Sequence, residues 1–325
     1  MMKYLVILLS DQSTSFCYCD ASNKEEGRLI SIENLRNAIK YAYMEDLYIQ
    51  FVLPAYQLPD EYDDIITSTK ATIIAPLGTK YNADVLVIDG MSAFNDINII
   101  KDSCYILRTE IGEFFTNYKD VINRIREFTR LNIVFTDIEN LTDEHFSLYQ
   151  NILSEFVDYI KDIILSGDTI QLNILTDRLV KNVMNNCNAG STTITLAPNG
   201  QFYICPAFYY VDDTPIGDLE NGIVIKNQQL YKLQYAPLCR DCDAYQCKRC
   251  VFLNKKLTRE VNIPSREQCV ISHIERNASR TLLHAIREHI IYLPTTNIKK
   301  ITYLDPFDNI KKIENYEEAS RTSND

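Results

Sequence analysis

The chain has 325 residues, enough for about two domains, and its hydrophobic fraction of 46% and charged fraction of 24% are ordinary for a globular protein. A net charge of −11, from 33 basic and 44 acidic residues, argues against general binding to nucleic acids or anionic membranes. The sequence has only nine glycines and no GxGxxG, GxxxxGK[ST] or GxSxG, which argues against a Rossmann dinucleotide site, a P-loop and an α/β-hydrolase. No apolar run is long enough for a signal-peptide core or a membrane span, so we expect a cytoplasmic protein whose ten cysteines stay reduced.

The first half of the chain alternates short apolar runs with amphipathic stretches. This pattern predicts seven strands, over residues 4–9, 48–53, 71–74, 85–88, 103–107, 132–135 and 170–174. Helices are predicted from a cap at Ser31 to Leu47, and over 115–128, 142–165 and 177–184. Strands separated by helices indicate an α/β fold with a mainly parallel sheet, and periodicity leaves open whether that sheet closes into a barrel.

The character of the sequence changes near residue 185. Two β-rich runs, 192–197 and 201–205, flank an Asn199-Gly200 turn, which predicts a hairpin. A cysteine-rich loop over 239–250 follows, and Ser265 with Gln268 forms the pattern of a capping box that opens a helix. We therefore divide the chain into residues 1–184, 185–300 and a polar tail over 301–325.

Seven of the ten cysteines lie in the second of these segments, and they are the candidate metal ligands: Cys187, Cys205, Cys239, Cys242, Cys247, Cys250 and Cys269. The loop CRDCDAYQCKRC contains two CxxC pairs, and each pair lets two thiolates of one turn face the same centre. Cys269 falls in the first turn of the helix capped by Ser265, where its thiolate meets the positive end of the helix dipole. Zinc takes four ligands and an iron–sulfur cluster about four cysteines, so seven thiolates predict two centres, one of them short of a ligand.

The order of these cysteines, with Gly200 before Cys205 and Ile216-Gly217-Asp218-Leu219 after it, resembles the SPASM domain. That domain is the auxiliary iron–sulfur module of radical S-adenosylmethionine (SAM) peptide maturases. The stretches LLSDQSTSFCYC at 8–19 and CRDCDAYQCKRCVFLN at 239–254 more closely resemble the CXXX repeat peptide maturase family. The resemblance implies a partial (β/α) barrel of radical SAM type over 1–184 and a SPASM-like α+β domain with a C-terminal helix over 185–300.

Two [4Fe–4S] clusters are what the SPASM resemblance implies. Cys239, Cys242, Cys247 and Cys269 would hold one, and Cys187, Cys205 and Cys250 would hold the other, without a fourth ligand. The loop spacing, CxxC-x4-C-x2-C instead of CxxC-x5-C-x3-C, leaves the partition of Cys247 and Cys250 open. His273, four residues after Cys269, is either the missing ligand or an ordinary neighbour of a cluster.

The barrel departs from the radical SAM pattern at its first loop. Radical SAM enzymes carry CxxxCxxC there, whereas this loop has only Cys17-Tyr18-Cys19, and Val52-Leu53-Pro54-Ala55-Tyr56 replaces the expected glycine-rich stretch. The resemblance therefore implies a degenerate motif and no bound SAM. On this interpretation Cys17 and Cys19 are small residues of a strand-end loop, and Cys104 is a buried core residue.

We interpret the chain as a SPASM-type iron–sulfur protein in the maturation of a cysteine-rich, ribosomally made CXXX repeat peptide. It would bind the precursor peptide, with an open iron suited to a thiolate, or relay electrons to a partner radical SAM enzyme, and the sequence leaves open whether it is itself an enzyme. No nucleic acid or membrane partner is expected. Two alternatives stay open: a zinc-binding interaction scaffold, and a weaker one, a CxxC dithiol oxidoreductase.

Overall fold

The computed structural model describes residues 2–19, 27–100, 103–184, 187–289 and 297–308. Its strands are β1 Tyr4–Leu8, β2 Tyr48–Val52, β3 Ala71–Pro76, β4 Val85–Asp89, β5 Cys104–Thr109, β6 Arg130–Phe135, β7 Gln171–Leu172, β8 Thr193–Leu196, β9 Gln201–Tyr203, β10 Gly217–Asp218 and β11 Gly222–Ile223. Its α-helices are α1 Ile32–Met44, α2 Asp60–Ser68, α3 Met91–Asp96, α4 Ile111–Arg124, α5 Asp143–Leu165, α6 Asp177–Val180, α7 Pro206–Tyr210, α8 Val251–Thr258 and α9 Arg266–Ile286. The predicted α/β class is confirmed.

The strands form one sheet in the order β11-β10-β9-β8-β1-β2-β3-β4-β5-β6-β7. Neighbours from β1 to β7 are parallel and follow chain order, as βα units require. The predicted hairpin is present as β8 and β9, and β8 pairs in parallel with β1. In the described part of the chain β7 and β11 are edge strands, so the parallel strands form an open, partial barrel.

Both faces of this sheet are buried, which explains why its strands are continuous apolar runs. Along β1, Leu5 and Ile7 face the core shared with α1, α5 and α9. Val6 and Leu8 face the opposite core, where α7 contributes Tyr210. We call this second side the inner face of the sheet. Short helices of the cysteine-rich half, α7 and α8, cover it.

Two of the helices begin where they were predicted to begin, because the predicted cap residues form their hydrogen bonds. Ser31 Oγ accepts a hydrogen bond from the N–H of Asn34 at 3.1 Å, and Ser265 Oγ accepts one from the N–H of Gln268 at 3.3 Å. The predicted capping box is only half formed, because neither side-chain polar atom of Gln268 has a partner in the described structure. Helix α4 begins at Ile111, four residues before the predicted start, since a carboxylate distant in sequence, that of Asp137, accepts its first N–H.

The segment Ile216-Gly217-Asp218-Leu219 owes its glycine to backbone contact. Gly217 has φ +145, and a Cβ at this position would overlap the carbonyl oxygen of Gly222 on the adjacent strand. Any side chain would therefore separate β10 from β11.

Cys104 was predicted to be a buried core residue, and no membrane span was predicted. Cys104 is half-buried instead of fully buried, because it lies near one end of β5 and accepts a hydrogen bond from Asn132 Nδ2 at 3.2 Å. Of the helices that the structure describes, none is long and apolar enough to cross a bilayer.

Candidate metal centre

The candidate ligands lie in two groups. The first, the four-cysteine group, consists of Cys239, Cys242, Cys247 and Cys269. Burial raises the pKa of Cys269, and the other three thiols of the group raise it further, in the order Cys247, Cys239, Cys242. Cys269 does stand in the first turn of α9, as predicted, but the helix end does not outweigh burial among neighbouring thiols.

The second group surrounds a cavity of about 490 Å³ against the inner face of β1 and β8. We call it the cavity group, and its members are Cys17, Cys187, Cys205 and Cys250. Burial raises the pKa of Cys205, and the charges of Cys17, Cys250 and Cys187 raise it further. Cys187 precedes the hairpin and Cys205 follows it, so the two-residue turn brings them to one end, as predicted. The fourth member, Cys17, comes from the loop after β1 and was predicted only as a small loop residue.

The cysteine-rich loop divides between the two groups at Arg249. Cys247 lies with Cys239 and Cys242, whereas Cys250 lies with Cys187 and Cys205. Arg249 has φ +23, and Cys250 is the N-cap of α8. The chain therefore turns between Cys247 and Cys250, and their sulfur atoms face different groups.

Backbone N–H groups donate to three of the sulfur atoms. The N–H of Ala244 lies 3.4 Å from Cys242 Sγ, and that of Leu253 lies 3.5 Å from Cys250 Sγ. The N–H of Arg249 lies 3.4 Å from Cys247 Sγ. Such bonds stabilise negative charge on sulfur and are among the features that set the reduction potential of a bound cluster.

Two buried arginines hold the loop in place through Asp243. Arg276 of α9 donates to both carboxylate oxygens, at 2.5 and 2.8 Å, and is completely buried. Arg178 of α6 donates to the Asp243 carbonyl at 2.6 Å and lies over the Tyr245 ring at 4.4 Å. Burial alone would raise the pKa of Asp243, but both guanidiniums hold it below its usual value. Sequence patterns did not single out any of these contacts.

Arg249 is a buried cation with unused donors. One terminal nitrogen donates to the Tyr231 carbonyl at 3.1 Å, but Nε and Nη2 have no partner among the described residues. Its charge lowers the pKa of Cys239, which burial raises to about 11, and it also opposes the effect of burial on Cys187. Arg249 therefore faces both groups. Buried N–H donors without partners are costly, and an anionic group between these thiols would satisfy them.

His273 belongs with the four-cysteine group. Its Nε2 lies 3.5 Å from Cys242 Sγ, and its Nδ1 lies 2.5 Å from the carbonyl oxygen of Leu304. Burial lowers the pKa of His273, so the neutral ring is favoured. The structure thus gives His273 the position of a neighbour of Cys242.

The loop that carries Cys17 is fixed by Arg108. This buried side chain donates to the carbonyl oxygens of Cys17 and Cys19, each at 3.0 Å, and pairs with Asp89 at 3.0 Å. The two thiols are 3.3 Å apart, and the bond from Cys19 lowers the pKa of Cys17 to about 7 against the effect of burial.

Polar residues fill the space between the two groups. Burial raises the pKa of Tyr18, and a thiol of each group, Cys250 and then Cys247, raises it further. Lys248 donates to the Ile133 carbonyl at 2.6 Å, and burial lowers its pKa to about 8. Burial raises the pKa of Glu275 to about 7, opposed by the charge of Lys248.

A larger cavity, of about 830 Å³, opens at the carboxyl ends of β4, β5 and β6. Tyr18 and Phe252 line both this cavity and the one between the cysteines. Charged side chains of both signs line it, from the ends of the strands and the segments that follow them and from the cysteine-rich half: Asp89, Arg108, Glu110, Glu113, Asp137, Asp213, Lys255, Lys256 and Arg259. Ligands commonly bind at the carboxyl ends of parallel strands.

The residues fit an iron–sulfur cluster better than a single ion. In the described residues, no three histidine, cysteine or acidic side chains converge on one point as ligands of a single ion would. A cluster needs about four thiolates spread around a larger anion, together with N–H donors to sulfur, and both groups offer this chemistry.

Comparison with solved structures defines the class of the fold, which is of the radical SAM type. Native anSMEcpe with bound AdoMet has a TM-score of 0.61 and 13% identity, over 87% of this chain and 99% of that chain. AnSMEcpe with bound AdoMet and Cp18Cys peptide has a TM-score of 0.62 and 11% identity, over 89% and 100% of the two chains.

A weaker similarity, with a TM-score of 0.44 and 11% identity over 82% and 76% of the chains, is to Streptococcus suis SuiB bound to precursor peptide SuiA. At these identities the comparisons establish the fold alone. No family model and no curated protein matches the sequence.

Proposed function

We propose that this protein is a cytoplasmic, SPASM-type iron–sulfur protein that binds a cysteine-rich precursor peptide during its maturation and does not cleave SAM itself. Two [4Fe–4S] clusters would be held by the four-cysteine group and the cavity group. When bound, such clusters exchange single electrons. The observation that carries the proposal is the arrangement of the thiols in two groups, with N–H donors to sulfur and the buried guanidinium of Arg249 beside both.

The chain's own residues supply the surroundings of these centres. Arg178 and Arg276 fix the loop of the four-cysteine group through Asp243, and Arg108 fixes the loop after β1. Tyr18 and Phe252 separate the cavity group from the larger cavity. A peptide in the larger cavity would therefore lie next to the cavity group while these two rings exclude water between them.

Peptide binding is supported by the size and polarity of the larger cavity. Its volume of about 830 Å³ is sufficient for several residues of an extended chain, and its charged lining offers donors and acceptors. AnSMEcpe, which shares the fold, is a protein solved with a peptide and AdoMet bound. Because this chain lacks CxxxCxxC, we propose the peptide and not SAM as its ligand, and a partner radical SAM enzyme as the source of radicals.

The cluster part of the proposal is tested by anaerobic purification. We expect a brown protein with about eight irons and matching sulfide, as two four-iron clusters require. With dithionite and SAM, we expect no 5′-deoxyadenosine above a protein-free control. Colourless protein with stoichiometric zinc, or about twelve irons with SAM cleavage, would contradict the proposal.

Peptide binding is tested with a synthetic peptide that carries a cysteine at every fourth position. Val211 lines the larger cavity and is 49% exposed, so Val211→Trp should obstruct part of the cavity without disturbing the core. We expect the Kd of the peptide for the Val211→Trp variant to rise by about tenfold or more, and a tenfold rise is a loss of about 1.4 kcal/mol of binding free energy. Val224→Trp, at a residue 78% exposed and outside the lining of this cavity, is the matched control. Equal affinity of the two variants would place the peptide elsewhere.

A further inference from the structure

We propose that Cys17 is the fourth ligand of the cluster held by Cys187, Cys205 and Cys250. This inference rests on the iron–sulfur function proposed above and specifies its second site. It assigns a ligand to a loop in which the sequence predicts only small residues, and it leaves no iron of that cluster open to a substrate thiolate.

Cys17 lies beside the other three cysteines. Cys17 lines the same cavity of about 490 Å³ as the other three cysteines, although it lies 170 residues before Cys187 in the chain. The charge of Cys17 also raises the pKa of Cys187, Cys205 and Cys250, in each case after burial, which is the larger cause. The four cysteines therefore border one cavity, and Cys187 is their exposed member.

The main chain at Cys17 is held in a fixed position. A cluster ligand needs a defined position, and the main chain of Cys17 is held by the Arg108 guanidinium at 3.0 Å. Arg108 is itself buried and is held by Asp89. Arg108 donates to two carbonyl oxygens of this short loop and so fixes its backbone. A fixed backbone is what the loop needs if the Cys17 thiolate is to bind a cluster.

The choice of Cys17 over Cys19 follows from the two cavities. Cys19 is only 6% exposed and lines the larger cavity instead of the one shared by the cysteines. The two sulfur atoms are 3.3 Å apart, so Cys19 is a direct neighbour of the proposed ligand, but it borders the larger cavity and Cys17 borders the cavity of the other three cysteines.

The test compares Cys17→Ala with Cys187→Ala, Cys19→Ala and Cys104→Ala in the anaerobically purified full chain. The readouts are iron and sulfide content and the electron paramagnetic resonance spectrum of the reduced clusters. Cys17→Ala should lose the signal that Cys187→Ala loses, and its iron content should fall from about eight toward about four. Cys19→Ala and Cys104→Ala should keep both signals. A Cys17→Ala protein with both signals and about eight irons would overturn the inference and leave the proposed function intact.

A second measurement needs no variant. In the loaded protein, Cys17 should resist alkylation by iodoacetamide and become reactive after iron is chelated, as judged by peptide mapping. Cys104, half-buried and outside both groups, should react equally in both states. Alkylation of Cys17 at the same rate with and without iron would overturn the inference. A wild-type protein without iron would instead overturn the proposed function together with it.

Discussion

Replacing Asp243 by asparagine should lower the free energy of unfolding by about 3 kcal/mol and empty the four-cysteine group. The substitution removes the carboxylate charge that pairs with the guanidinium of Arg276, whose side chain is 1% exposed, and that also pairs with Arg178. Breaking a buried ion pair from one side costs about 3–5 kcal/mol, because the remaining charge stays desolvated, and the 32% exposure of the Asp243 side chain places this pair at the lower end of that range. Chemical denaturation, with iron analysis of the purified protein, measures both effects.

Asp241→Asn is the matched control, because Asp241 lies in the same loop, is 82% exposed and pairs with the exposed Arg240. We expect a change within about 0.5 kcal/mol for this variant and no loss of iron. If Asp243→Asn were as stable as Asp241→Asn and held as much iron, the contacts of Arg178 and Arg276 with Asp243 would not be needed to fix the cysteine-rich loop.

Replacing Arg249 by glutamine should shift both clusters to more negative reduction potentials, by on the order of 60 mV or more. A nearby positive charge favours the reduced, more negative cluster, and Arg249 influences a cysteine of each group. For one electron, about 60 mV corresponds to a tenfold change in the equilibrium constant. Redox titration followed by electron paramagnetic resonance resolves the two clusters.

Two companion variants separate charge from structure. Arg249→Lys keeps the charge and should restore most of the potential, although it loses the planar fork of donors. Arg240→Gln removes the same charge from an exposed side chain, where water screens it, and should leave both potentials unchanged. Equal shifts in Arg240→Gln and Arg249→Gln would show that only the net charge of the loop matters.

Local chemistry made much of the fold predictable. The Asn199-Gly200 turn forms the hairpin, because Gly200 adopts φ +80, and Ser31 and Ser265 cap helices as predicted. The helix predicted over 142–165 is present, and Thr142 is its cap. Boundaries set by tertiary contacts were not predictable. Strand β7 has two residues instead of five, and α6 ends at Val180 instead of residue 184.

In the candidate site, too, local features were predictable from the sequence and features set by tertiary contacts were not. The seven cysteines could be found by spacing, because CxxC turns and a capped helix are local features. Spacing left the partition of Cys247 and Cys250 open, since it depends on a positive φ at Arg249, a residue that does not favour that conformation, and only the SPASM resemblance implied the two groups. Cys17, Asp243 with its arginines, and Tyr18 act through contacts between distant segments, and no periodicity reports such contacts. The resemblance over 8–19 was the available signal for Cys17, and it pointed to the loop without giving its role.

The pairing of β8 with β1 also bears on how the chain folds. Strand β1 is hydrogen-bonded to β2 on one side and to β8 on the other. A chain cut at residue 184 would leave the outer edge of β1 as an unpaired row of amide and carbonyl groups on an apolar strand, which is a template for aggregation. The inner face would also lose its cover from α7 and α8. The two segments distinguished by composition are therefore interdependent in folding, and the N-terminal one emerges from the ribosome well before the strand that protects its edge.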